Sequence, residues 1–283
     1  MTISLVQVVH EYLSRGEPVV FAKIISRQGS SPRSTGTQMA VTADGQAHGT
    51  IGGGLLEARV VARATALLNG AGACFEHFDL GHDDVAGMDM ICGGGVDVLY
   101  DPLAPTPEHV ALFALRRQMC AEEVEGAFVT AIRRSGPDID RIEHALVQRD
   151  GRVVGTLPLT SDAVADLAAA GRSARAMTTL YLEDFFILLE PILKPNRVYI
   201  FGAGHVAQPT AHLADLVGFE VVVLDDRETF ANRSRFPDAR DVRVPKDFSR
   251  ALDGLPVDRK TFIVIVTRGH LHDKAVLAEA LKT

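Results

Sequence analysis

Apolar positions recur with a helical period between residues 2 and 15, at Ile3, Leu5, Val6, Val9 and Leu13, and the spacing predicts a short helix that Gly16 stops. Residues 19–25 are rich in β-branched side chains and read as a buried strand. Two short strands, 38–42 and 46–51, flank the turn Ala43-Asp44-Gly45, a hairpin signal. From 55 to 68, Leu55, Val60, Val61, Ala64, Leu67 and Leu68 repeat at helical spacing, which lets Glu57, Arg59 and Arg63 face solvent. Strand patterns follow at 74–80 and 96–100, the second ended by Asp101-Pro102, and then a helix at 107–125 with Val110, Leu112, Phe113 and Leu115 inward. Strand-like runs at 127–132, 143–147 and 152–157, an alanine-rich helix at 162–169, and strands at 178–182 and 185–189 complete this part. Many strands and few helices predict an α+β domain, residues 1–190, with a mixed or antiparallel sheet.

The grammar changes after residues 191–195, a proline-flanked stretch that reads as a linker. A strand at 197–201 runs into Gly202-Ala203-Gly204-His205-Val206-Ala207, which fits G-x-G-x-x-A; a helix at 207–217 and a strand at 220–224 follow, ending in Asp225-Asp226. Strand, glycine turn, helix, strand and terminal acid in that order predict a dinucleotide-type βαβ unit. Asp225 stands where a carboxylate would accept ribose hydroxyls, favouring NAD over NADP, while His205 puts a polar ring in the turn where a pyrophosphate would lie. A third strand at 261–266 leads into Thr267-Arg268-Gly269-His270-Leu271-His272-Asp273, ahead of a helix at 274–281. Loops at the carboxyl ends of such strands line the ligand crevice, so Arg268 and His270 become candidates. A complete doubly wound domain needs further strands, and the expectation is a Rossmann-like domain, 196–283, incomplete at its C-terminus.

With 283 residues, 47% of them hydrophobic, the chain can bury a sizeable core and leans toward two domains. A formal charge of −7 argues against a general binder of nucleic acid or membrane surface, which would repel it. No membrane-length apolar run and no signal-peptide pattern is present, and the expectation is a cytoplasmic protein. Three cysteines at irregular spacing, Cys74, Cys92 and Cys120, fit free thiols better than a disulfide framework or a zinc site.

Three stretches carry candidate chemistry. Gly49-Thr50-Ile51-Gly52-Gly53-Gly54 runs straight into the second helix, and a glycine loop opening a helix offers unpaired N–H groups and a positive dipole end to an anion. No Gly-Lys-Ser/Thr follows, so this is not the Walker loop, and the bland reading is a tight turn. Gly29-Ser30-Ser31-Pro32-Arg33-Ser34-Thr35-Gly36 is a loop whose hydroxyls and one guanidinium suit phosphate or carboxylate oxygens. Ile91-Cys92-Gly93-Gly94-Gly95 leaves a thiol uncrowded beside backbone N–H groups, which would favour the thiolate. Cys74 and Cys120 sit inside strand and helix patterns and read as structural. His82, Asp83 and Asp84 have no second histidine at a ligand spacing, and no metal site is assigned.

Gly-Ser-Ser-Pro-Arg at 29–33, Gly-Thr-Ile-Gly-Gly-Gly at 49–54 with Glu57, Cys-Gly-Gly at 92–94, Gly-Ala-Gly-His at 202–205 and Thr-Arg-Gly-His at 267–270 together resemble the XdhC/CoxI family. The resemblance spans nearly the whole chain. It implies an accessory protein that binds the molybdenum cofactor (molybdopterin), supports its sulfuration with a cysteine desulfurase, and delivers it to the apo-enzyme of a molybdenum hydroxylase such as xanthine dehydrogenase. It also implies a Rossmann-like C-terminal half, where NAD or another nucleotide would bind, and it leaves room for a homo-oligomer. Some members carry two adjacent cysteines where this chain has Ile91-Cys92, and members usually continue past the position of Thr283. On this reading Gly52, Gly53 and Gly54 with Ser30, Ser31 and Arg33 grip the anionic end of the cofactor, while Cys92, beside Gly93, sits near molybdenum or relays sulfur. Two competing readings are an NAD-dependent oxidoreductase with His270 or His205 as acid/base, and a nucleotide-sensing regulatory module without chemistry.

Overall fold

The computed structural model describes residues 4–29, 33–80 and 94–283, so Ser30, Ser31, Cys92 and Gly93 lie outside the described residues. The chain divides into two compact units, one up to Leu193 and one from Lys194 onward.

The first unit is built on two antiparallel sheets. One has the order β3-β2-β1-β5-β4, from β1 (Val19–Gln28), β2 (Gln38–Thr42), β3 (Ala47–Gly49), β4 (Cys74–Asp79) and β5 (Gly95–Leu103). The other has the order β8-β7-β6-β10-β9, from β6 (Gly126–Ser135), β7 (Asp138–Gln148), β8 (Val153–Gly155), β9 (Thr178–Leu182) and β10 (Phe185–Ile192). Helices α1 (Leu5–Ser14), α2 (Gly54–Leu67), α3 (Pro107–Ala121) and α4 (Ser161–Ser173) complete it.

Period-two alternation sorts β1 into two faces. Val20, Ala22 and Ile24 pack against Leu56, Val60 and Ala64 of α2. Val19 and Phe21 meet Phe128, Leu146 and Ile192 of the second sheet, together with residues of α1 and α3. The outer face of the second sheet packs Val129, Ala131, Ile187 and Leu189 on Leu167 of α4. The layers are therefore α2, first sheet, second sheet, α4. The helix starts follow local chemistry: Ser4, Thr106 and Thr160 cap α1, α3 and α4 by accepting N–H bonds, and Pro107 occupies the first turn of α3.

Between the two sheets lies a group of buried charges. Lys23 Nζ donates to Glu190 Oε1 at 2.7 Å, Arg116 Nη2 donates to Glu190 Oε2 at 3.0 Å, and His144 Nε2 stands 2.9 Å from Asp101 Oδ2. Burial raises the Glu190 pKa, but Lys23 and Arg116 outweigh it and hold the carboxyl at about 2. Several strands run further than the sequence suggests, and two of them run through prolines: β5 continues through Asp101-Pro102 and β10 through Pro191. The other neighbours, β4 and β9, pair only up to Tyr100 and Leu189, so each proline has a strand on one side alone, where a missing N–H is tolerated.

The second unit is one parallel sheet of order β13-β12-β11-β14, from β11 (Arg197–Phe201), β12 (Glu220–Leu224), β13 (Asp241–Arg243) and β14 (Thr261–Ile265), with α5 (Ala207–Leu216) and α6 (His270–Ala280). In order of appearance this is 3-2-1-4, the strand order of a Rossmann-type sheet up to its fourth strand. Apolar clusters cover both faces of the sheet, Ile200, Val221 and Val223 with Ala207 and Ala211 of α5 on one and Tyr199, Phe201 and Leu224 with Val276 of α6 on the other. That is why its strands read as unbroken apolar runs. The fold is α/β, an antiparallel α+β unit followed by a Rossmann-like one.

Candidate functional site

Antiparallel order fixes where the loops of the first sheet emerge. Gln28 and Asp79 both stand opposite Gly95, and Gly49 stands opposite Met39. The ends of β1, β3 and β4 and the starts of β2 and β5 therefore share one end of the sheet. From that end leave the stretch holding Arg33, the glycine tract, and Leu80 and Gly94, which bracket residues 81–93; Leu80 N–H donates to Gly94 O at 2.7 Å. Arg33 is exposed, and the loop is drawn back onto β1 by Gly36 N–H donating to Ile24 O at 2.8 Å.

The glycine tract needs its glycines. Gly52, Gly53 and Gly54 have φ of 140°, 82° and 60°, conformations that side chains disfavour. Glu57, which the helical period lets face solvent, is half-buried and folds back over the tract. Its Oε2 accepts from Thr50 Oγ1 at 2.6 Å and from the N–H groups of Ile51 at 3.1 Å and Gly53 at 3.2 Å. The Thr50 hydroxyl and these amides hold its carboxyl below the ordinary range. The chain's own carboxylate thus takes two of the amides expected for a ligand. The donors of the first helical turn, Gly54, Leu55 and Leu56, have no carbonyl four residues back within the helix, and a Cβ on Gly53 would meet nothing within 4 Å.

Three polar side chains at the same end escape sequence reasoning. A bulge at Ile25 in the β1–β5 register sets Ser26 opposite Asp97, which also faces His77. Ser26 Oγ donates to Asp97 Oδ2, and His77 Nδ1 lies 2.7 Å from Asp97 Oδ1, a contact that puts the ring proton on Nδ1. Burial raises the Asp97 pKa, and Ser26 and His77 more than reverse it. These residues stand far apart in sequence, and only strand pairing brings them together.

In the second unit the turn after β11 meets the end of β12. Gly202 has φ 108°, and a Cβ there would lie 2.2 Å from Val266 O, so only glycine fits. Gly204 borders open space: a Cβ there would meet nothing within 4 Å. These are the roles of the first two glycines in a dinucleotide turn, tight packing and ligand approach. His205 is exposed in that turn, and His270 is exposed as the first residue of α6, which begins four residues before the helix that the sequence suggests. Asp225 is buried, with Oδ2 accepting from Ala203 N–H at 2.8 Å and Arg227 Nη2 at 2.9 Å, and Oδ1 from Arg227 N–H at 3.0 Å and Nε at 2.8 Å. Burial opposes its ionisation, but Arg227 and the Ala203 amide prevail and bring its pKa to about 2. Arg268 pairs with Asp226, Nη2 to Oδ2 at 2.8 Å. Among the described residues no group of three or more His, Cys, Asp or Glu is placed to hold a metal ion, and no helix is long and apolar enough to cross a membrane.

Residues 12–79 match the family described as the XdhC and CoxI family, and residues 198–283 match the XdhC Rossmann domain. The chain belongs to the XdhC and CoxI family. The first XdhC match covers the Ser/Arg loop, the glycine tract with Glu57, and His77; the second covers Gly202 through His270. Over 92% of its length the chain is 26% identical to a protein of Bacillus subtilis (strain 168) named as a probable xanthine dehydrogenase subunit, 75% of which it spans. Over 97 residues it is 31% identical to the "Uncharacterized protein YqeB" of Escherichia coli (strain K12), a match to 34% of this chain and 18% of that one. The crystal structure of a xanthine dehydrogenase from Bacillus halodurans superposes with a TM-score of 0.79 at 22% identity, covering 98% of this chain and 78% of the other, and shows that the two share the XdhC fold.

Proposed function

We propose that this chain is an accessory protein that binds molybdenum cofactor as its cargo, supports the cargo's sulfuration together with a cysteine desulfurase, and inserts it into the apo-form of a molybdenum hydroxylase such as xanthine dehydrogenase. The observation that carries the reading is the shared sheet end, from which the Arg33 stretch, the glycine tract and the bracket of residues 81–93 all leave, in a chain of the XdhC and CoxI family. The relative from Bacillus subtilis, which by its name belongs to a xanthine dehydrogenase, supports the choice of client.

The residues present suit such a cargo. Its pterin carries a phosphate or a nucleotide diphosphate, and Arg33 with the first-turn amides of α2 supplies a guanidinium and dipole-aligned N–H donors for that end. Glu57 sets the tract rather than the cargo: by holding Ile51 and Gly53 it fixes the loop in its positive-φ shape before anything binds. His77, oriented by Asp97 through Nδ1, stands at the same end of the sheet. Cys92, with Gly93, is the thiol assigned by sequence to the molybdenum end, and Ser30 and Ser31 are hydroxyls for the anion. When bound, the cargo supplies the molybdenum centre whose terminal oxygen is exchanged for sulfur; the chain's part is to grip, orient and shield it. On this reading a nucleotide would be taken by the Rossmann-like unit at the turn of Gly202 and Gly204, whose glycines have the dinucleotide-turn roles.

Purifying the full-length protein from molybdenum-replete cells and identifying the retained small molecule by mass spectrometry tests this. Molybdopterin, free or as a dinucleotide, is the expected result. A nucleotide with no pterin would favour a sensing module instead.

A further inference from the structure

The end of β12 is where a Rossmann-type crevice reads the ribose of a bound dinucleotide. An open carboxylate there accepts the 2′- and 3′-hydroxyls, whereas an arginine accommodates a 2′-phosphate. Asp225 has the position without the availability. It is 2% exposed, and four donors, the Ala203 amide and three N–H groups of Arg227, already occupy its two oxygens. A carboxylate has about four lone-pair sites, so a ribose hydroxyl finds no acceptor left.

What this place presents to a ligand is arginine. Arg227 grips Asp225 through Nε and Nη2, which leaves both Nη1 protons outside the pair, and its side chain is 31% exposed. Its guanidinium carbon lies 3.8 Å from the centroid of the Phe230 ring, which braces the fork. Arg268, 41% exposed, comes from the loop after β14 and reaches Asp226 beyond β12. Because β11 lies between β12 and β14, that pair brings a second guanidinium to the carboxyl edge above the glycine turn. Arg235 is a third beside the turn, Nη2 donating to Ala203 O at 3.1 Å. Three guanidiniums here outnumber the two carboxylates, Asp225 and Asp226, and both carboxylates are covered by arginine.

We propose that this crevice binds an adenine dinucleotide carrying a phosphate monoester on its adenosine ribose, of NADP type, in preference to the unphosphorylated dinucleotide, with Arg227 and Arg268 as the phosphate ligands. The inference rests on the reading that the Rossmann-like unit binds a nucleotide at all. A phosphate monoester carries close to two negative charges at neutral pH and accepts the paired N–H groups of an arginine fork. An unphosphorylated ribose meets a guanidinium where it needs an acceptor.

Calorimetric titration of the full-length protein with NADP, NAD, 2′-AMP and 5′-AMP at one fixed ionic strength tests this. NADP is expected to bind at least about tenfold tighter than NAD, and 2′-AMP tighter than 5′-AMP. Arg227→Ala should abolish the preference and, by uncovering Asp225, leave NAD binding equal or tighter; Arg268→Ala should weaken NADP while leaving NAD unchanged. Thermal melts of both variants establish that they fold, and Arg268→Ala carries the test should Arg227→Ala not. NAD binding as tightly as NADP would overturn the phosphate selection and leave the nucleotide reading standing. Binding of neither at millimolar concentration would overturn both. A preference undiminished in the folded variants would overturn the assignment of these arginines.

Discussion

Glu57 turns the glycine tract inward. Its helical position gives the face of α2 on which it lies, but periodicity carries no information about a loop folding back over the helix start, so the bond to Thr50 and two amides was not legible. Its carboxyl titrates below the ordinary 4.5 on folding, so its stabilisation is fully present above that pH and is lost as pH falls through the lower folded value. Glu57→Gln should therefore cost about 1.5 kcal/mol near neutral pH, a deficit that narrows in urea midpoints as pH falls below 4.5; a pH-independent deficit would contradict this. The two turn glycines separate in the same way. Gly202→Ala drives a Cβ into Val266 O at positive φ and should lower stability by about 3 kcal/mol or more, while Gly204→Ala, beside open space, should melt close to wild type and lose nucleotide affinity. Differential scanning calorimetry distinguishes the two.

Elements were legible where one physical signal dominated. The β-branched run of β1 and the unbroken apolar strands β11 and β12 stand where their patterns put them, as does the glycine turn between them. Prolines are ambiguous, because a proline stops a strand only where both edges are paired: Pro102 reads as a terminator that would put Asp101 outside the sheet, yet Asp101 is 1% exposed within it. The three-residue strand β13 is too short for any period to register. The buried charges were hidden for a different reason, since pairing Lys23, Arg116 and Glu190 takes β1, α3 and β10 at once. Glu190→Leu would leave buried Arg116 without its carboxylate and Lys23 with Asp101 alone, at 3.9 Å, and should cost about 3–5 kcal/mol in urea unfolding, whereas replacing Lys23 and Glu190 together by methionine should cost much less than the two single changes summed. Additive losses would show that these groups do not act as one cluster. Since the Glu190 carboxyl is held at about 2, its contribution should be complete above about pH 4.5, decline steadily as pH falls below that, and be gone near pH 2.

At the scale of the whole molecule, the change from antiparallel alternation to parallel apolar strands marks two units that meet in sequence at Leu193–Lys194. Limited proteolysis with a non-specific protease should release fragments ending near that junction before either unit is degraded, and cleavage spread evenly through both would argue against separate units. Motif spacing located the loops, but only the strand order of the first sheet shows that the stretches near 33, 50 and 80 leave from one end, because register and pairing partners are not written in a single sequence. The central claim is that this end holds molybdenum cofactor. The most direct test is the molybdenum and pterin retained per chain by the wild type, Arg33→Ala and Cys92→Ala after purification from molybdenum-replete cells. The account predicts both in comparable amounts on the wild type and a loss of at least about tenfold on Arg33→Ala, with Cys92→Ala also depleted. Wild-type retention in both variants, or none in the wild type, would contradict it.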